Sequence, residues 1–198
     1  MYTVSGCNIA GVDLVFVLDS SGSIGATNFN SMRNFVTTVV NALNIGQNRS
    51  QVGVIVFSDV VRIQFHLNTY SNKASLLSAI PSIPYIGSGT NTADALYTLI
   101  NEGFDGARPV SQGIPRVAIV VTDGKSSDPD RTVQAAAVLH QTSFMTYAVG
   151  IRGADINELN TIASTQYGEK LVRNISSFNP DELEHLREDL REQACTGN

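Results

Sequence analysis

Along this chain, short runs of Val, Ile and Leu alternate with segments in which apolar residues recur every three or four positions. Val12–Leu18, Val52–Phe57, Val117–Val121 and Met145–Val149 are apolar at nearly every position, the pattern of strands covered on both faces. Lys170–Arg173 predicts a shorter strand near an edge. Val60–Leu67 follows its predecessor too closely for a crossover helix, so it is expected as an antiparallel edge strand reached by a hairpin at Ser58-Asp59. Between the strands, Phe29, Met32, Val36, Val39, Val40 and Leu43 make one apolar stripe on a helix, and a second helix is expected from about Thr92 to Glu102. Asp128-Pro129 and Asn179-Pro180 each place a capping residue before a proline at the first helical position. Leu183, Leu186 and Leu190 then line a final helix ending near Cys195. The fold class predicted is α/β: an open sheet, mostly parallel with one antiparallel edge strand, and helices on both faces.

With 198 residues, 42% of them hydrophobic, the chain can bury about 70% of its unfolded surface. It reads as a single domain, 1–198, with a core of about 12–190 flanked by Cys7 and Cys195. The net charge of −5 is spread along the sequence, and the absence of a Lys/Arg cluster argues against nucleic acid as a partner. No apolar run approaches the length of a membrane span, and Met1–Gly6 has neither the basic start nor the apolar stretch of a signal peptide. Two cysteines near the two ends are read either as a disulfide closing the domain in an oxidising compartment or as two unpaired thiols. Asn48-Arg49-Ser50 and Asn174-Ile175-Ser176 are candidate N-glycosylation triplets at Asn48 and Asn174, which agrees with a secreted protein.

The densest chemistry lies in Asp13-Leu14-Val15-Phe16-Val17-Leu18-Asp19-Ser20-Ser21-Gly22-Ser23-Ile24-Gly25, where an apolar strand ends in side-chain oxygens. In an open α/β sheet the carboxyl ends of the strands form the ligand crevice, so Asp19 emerges where sites are built. Asp123 follows Val117–Val121 and emerges at the same rim, and the flexible-looking Gly87-Ser88-Gly89-Thr90-Asn91-Thr92 brings a hydroxyl to the start of a helix. Oxygen-only donors favour Mg²⁺, Mn²⁺ or Ca²⁺ over softer metals.

Taken together, Asp-x-Ser-x-Ser, Gly-x-Gly-Thr-Asn-Thr and Val-Thr-Asp-Gly resemble the metal-ion-dependent adhesion site of von Willebrand factor A domains. The likeness extends over Val12 to Leu190, through Gln51–Ser58 and Tyr147–Ile151. It is similar in style to matrix members such as matrilins, collagen A domains and invertebrate thread or shell matrix proteins. The resemblance implies a Rossmann-like open sheet and a divalent cation, Mg²⁺ first with Mn²⁺ or Ca²⁺ as alternatives. It implies as metal contacts, direct or through water, Asp19, Ser21, Ser23, Thr90 and Asp123. A carboxylate from an extracellular protein ligand would complete the coordination, with collagen the leading candidate partner. A metal-independent or self-assembling matrix scaffold is the alternative, and the expected location is the extracellular matrix.

Enzyme patterns fail on spacing. Gly124-Lys125-Ser126 imitates the end of a phosphate-binding loop, but Ile119 stands where that loop needs its first glycine. An EF-hand from Asp19 would need Gly and Glu where Ile24 and Asn30 stand. A phosphatase using Asp19 as nucleophile would want a second aspartate where Ser21 sits. His66, His140 and His185 lack metal-ligand spacing and are expected at the surface or satisfied, and no Gly-x-Ser-x-Gly elbow occurs. The chain is therefore read as a non-enzyme.

Overall fold

The structure is a computed structural model that describes residues 11–175 apart from 124 and 152. Cys7, Cys195, the Asn179-Pro180 start and the expected final helix lie outside the described residues.

Six strands form one sheet: β1 (Asp13–Asp19), β2 (Gln51–Phe57), β3 (Val61–Phe65), β4 (Arg116–Thr122), β5 (Met145–Ile151) and, at the far edge, Val172–Ile175. The chain makes a small hairpin, β6 (Thr165–Gln166) and β7 (Glu169–Lys170), before that last strand, which is therefore β8. The order is β3-β2-β1-β4-β5-β8, and every pairing is parallel except β2 with β3. The expected mixed sheet and its antiparallel edge strand are both present. The Lys170–Arg173 expectation has to be moved: Lys170 belongs to the hairpin, whose turn holds Tyr167 and Gly168 at φ 49° and 85°. Pairing with β5 starts only at Val172.

Alternation along β1 divides the core. Leu14, Phe16 and Leu18 face one side with Phe29, Met32, Phe35 and Val36 of α1 (Gly25–Ala42). Val15 and Val17 face the other, among alanines and leucines of α3 (Thr92–Thr98) and α4 (Pro129–Leu139) and of α5 (Ile156–Ile162). Large rings fill the space under one long helix, while Ala93, Ala95, Ala135 and Ala136 let shorter helices sit close on the second face. Helix α2 (Lys73–Ala79) was not expected; its buried residue is Leu76, and Asn72 caps it by accepting the Ser75 N–H. The second expected helix is α-helical only over Thr92–Thr98 and continues as a wider π turn over Leu99–Gly103.

At the amino ends of the strands, Asp13 is completely buried and is bound by Arg108, through its backbone N–H (3.0 Å), Nε (3.1 Å) and Nη2 (2.7 Å). Arg116, at the start of β4, donates in turn to the Arg108 carbonyl at 2.8 Å. At the carboxyl ends, β1 and β4 run out side by side, and their exits form the rim described next.

Candidate metal centre at the carboxyl rim

β1 delivers Asp19 into full burial. Its Oδ1 accepts the Ser21 N–H at 2.8 Å and its Oδ2 accepts the Thr122 hydroxyl at 2.7 Å. The turn so closed places the Ser21 and Ser23 hydroxyls 3.1 Å apart. Gly25, at φ 74°, then swings the chain into α1, a backbone angle that a side chain would disfavour. Burial pushes the Asp19 carboxyl up to about 6 from 3.8; the hydrogen bonds from Ser21 and Thr122 pull against that rise, and the charge of Asp123 adds to it.

The second loop is tied down by hydrogen bonds, against the flexibility its glycines suggest. Gly87 N–H donates to Ser20 O and Gly22 N–H to Ser88 O, at 2.8 and 2.7 Å. Ile86 N–H donates to the Ser20 hydroxyl at 2.7 Å, and the Ser58 hydroxyl accepts from Ser88 N–H and donates to Gly89 O. Ser88 also donates its hydroxyl to Asp59, against whose carboxylate any side chain at Gly89 would collide. Thr90 is buried, its N–H bound to the Ser127 hydroxyl at 3.1 Å and its carbonyl to Ser127 N–H at 2.9 Å. Loops two and three are thus tied together.

The third loop begins at Asp123, whose carbonyl accepts the Asp155 N–H at 3.2 Å. Glu158 of α5 holds Ser126 by N–H and hydroxyl, at 3.1 and 2.9 Å. Asp128 caps α4 by accepting the Arg131 N–H, as its position before Pro129 predicts. A groove of about 380 Å³, lined by Ser23, Ile24, Asn28, Asp123 and Ile151, opens at this rim.

Ser21 and Ser23 meet directly, Asp19 orders them, and Asp123 shares the groove with Ser23; Thr90 is placed by its backbone. Asp123 Oδ1 is buried and has no hydrogen-bond partner, which leaves an acceptor of the kind a hard cation takes up. Among the described residues no three His, Cys, Asp or Glu side chains gather as ligands; two carboxylates and three hydroxyls are what the rim offers. The sequence reading missed the residues that hold these groups: Thr122, Ser20, Ser58, Ser127 and Glu158. Thr122 and Ser20 had a local signal, standing next to Asp123 and Asp19. Of the histidines, His140 has Nε2 3.2 Å from Ile162 O, whereas His66 keeps a buried, unpartnered Nδ1 and so departs from the expectation.

The sequence profile of the von Willebrand factor type A domain matches residues 13–189. The chain belongs to this family. As a von Willebrand factor A domain it is 37% identical over 186 residues to the collagen alpha-1(XII) chain of Notophthalmus viridescens, covering 94% of this chain and 20% of that one. It is 37% identical over 166 residues to human matrilin-4, covering 82% and 26%. Proximal thread matrix protein 1 from the mussel byssus superposes with a TM-score of 0.77 at 31% identity, over 96% of this chain and 48% of that one. Another structure of that protein has a zinc-occupied MIDAS motif and superposes equally, with a TM-score of 0.77. The chain spans less than half the length of each of these relatives, all of them extracellular matrix proteins. No helix among the described residues is long and apolar enough to cross a membrane.

Proposed function

We propose that this domain is a secreted matrix adhesion module that holds a divalent cation, Mg²⁺ first, through Asp19, Ser21, Ser23, Thr90 and Asp123, and binds collagen. The observation that carries the reading is the buried, unpartnered Oδ1 of Asp123 at a rim where Asp19 orders the Ser21 and Ser23 hydroxyls. The zinc-bearing motif of the mussel thread protein supports it. A dication with few protein charges around it attracts one further carboxylate in exchange for water. The chain's own residues do the rest: the hydroxyls supply neutral donors, Asp19 and Thr122 fix the first loop, and the Thr90–Ser127 pair holds the second loop to the third.

No catalysis belongs to this proposal. The carboxylate that a phosphatase reading would use, Asp19, is wholly buried with both oxygens engaged. The test is capture of the purified domain on fibrillar collagen in Mg²⁺ and in EDTA, beside Asp19→Ala. Capture abolished by EDTA and by the substitution is the expected result. Capture that survives both would leave a metal-independent matrix contact, and none in either condition would remove collagen as the ligand.

A further inference from the structure

A second concavity, of about 460 Å³, lies at the opposite end of the sheet, beside the start of β2 and the Arg108 loop. Five of its lining residues are carboxamides, among them Asn48, Gln51, Asn68 and Gln112, and Tyr70 adds a ring. Arg108 is the one charged residue in the lining, and its guanidinium is committed to Asp13 at 2.7 Å. The groove is therefore polar without offering a free charge, which suits neither a phosphate nor an apolar helix. Carboxamides present donors and an acceptor in one plane, a match for the neighbouring hydroxyls and acetamido groups of a sugar.

Three further observations narrow the ligand. Gln51 is 7% exposed, and its Oε1 is buried without a partner, an arrangement that is costly until a donor arrives. Asn48 is exposed on a turn closed by Arg49 N–H to Gly46 O at 2.9 Å and by Gly46 N–H to Ser50 O at 3.1 Å. It heads an Asn-Arg-Ser acceptor triplet. Because Asn48 is one of the residues that line the groove, a sugar attached at its Nδ2 starts beside it. Tyr70 is braced edge-on by Phe65, centroids 5.1 Å apart and planes at 80°, so its ring is presented as a fixed surface.

We propose that Asn48 carries an N-linked glycan whose first sugars lie in this groove, bonded by Gln51, Asn68 and Gln112 and packed on Tyr70. The glycan then acts as a brace at the pole opposite the metal rim. The proposal shares with the adhesion reading only the passage through the secretory pathway.

The chain is secreted behind a signal leader from cells that N-glycosylate, and an amidase that releases the glycan, leaving Asp in place of Asn48, is applied to native and denatured protein. Peptide mass spectrometry reads the conversion. Asn48 is expected to be occupied, with release from the native domain at least about tenfold slower than from the denatured chain, the effect of one or two hydrogen bonds. Tyr70→Ala and Gln51→Leu should each speed native release; Tyr70 stands at the half-buried margin, so its variant serves if the Gln51 change impairs folding. An unmodified Asn48, equal native and denatured rates, or variants that leave native release unchanged would each overturn the proposal. Mg²⁺-dependent collagen capture measured on the same material fails or succeeds independently, so loss of the adhesion reading is told apart from loss of this one.

Discussion

β1 carries a fully buried aspartate at each end, and the two are treated in opposite ways. Asp13, at the start, is met by the protein's own Arg108. Asp19, at the finish, receives only neutral hydrogen-bond donors and has Asp123 for a charged neighbour. Among the described residues the ion pairs are Arg108–Asp13 and Arg131–Asp94, so no cationic side chain compensates Asp19. A buried charge is tolerated when it is paired and hydrogen-bonded. Among the described residues the chain meets that condition with its own cation at Asp13 and with neutral donors alone at Asp19.

The largest effect is expected from breaking the internal pair. Arg108→Met strands a buried carboxylate and should cost about 3–5 kcal/mol in denaturant unfolding, with or without metal. Arg108→Met combined with Asp13→Asn should recover much of that loss; no recovery would show that Arg108 acts by packing alone. At the other pole, Asp19→Asn should leave the metal-free domain as stable as before or steadier, since it removes an uncompensated charge. It should also abolish stabilisation by Mg²⁺, about 2.7 kcal/mol at a hundredfold excess over Kd, or roughly 5–10 °C in Tm for a domain of this size. A Tm rise with Mg²⁺ that persists in Asp19→Asn would put the cation elsewhere.

A smaller effect follows from pH. The Asp19 carboxyl lies at about 6 in the folded domain and at 3.8 unperturbed, so the folded state holds its proton more firmly than the unfolded chain does. The resulting stability is fully present below about pH 4 and is lost as pH rises through about 6. Mg²⁺ held there would compete with that proton, so its affinity should be about tenfold weaker at about pH 5 than at about pH 7.5, a difference of about 1.4 kcal/mol by calorimetry. Affinity that rises on acidification would reverse the assignment. The smallest effect is expected at Glu158: replacing it with Ala frees Ser126 and should weaken Mg²⁺ binding by about 1 kcal/mol while barely changing the unfolding midpoint of the metal-free domain. An unchanged affinity would mean that the third loop holds its shape without the clamp.

The two poles also differed in how far they could be read from the chain. Asp19, Ser21 and Ser23 follow an apolar strand within five positions, so period and chemistry announce them together. The Asp13–Arg108 pair joins residues 95 positions apart, and nothing near Arg108 marks its partner. Helices α2 and α5 escaped because seven residues with one or two buried positions each give the helical period too few turns to show. The strand expected at Lys170–Arg173 was displaced by the Tyr167-Gly168 turn, whose positive φ values no apolar pattern records. Gly87-Ser88-Gly89 looked mobile because glycine is permissive. Its rigidity comes from Ser20 and Ser58, which belong to other loops.

β1 and β4 are neighbours at the middle of the sheet, and their ends carry Asp19 and Asp123. The hairpin at Ser58-Asp59 leads instead to β3, the outermost strand. Ser58 nevertheless reaches back from that margin, its hydroxyl accepting the Ser88 N–H and donating to Gly89 O. A disturbance at the outer edge of the sheet is therefore carried inward to the loop beside its centre.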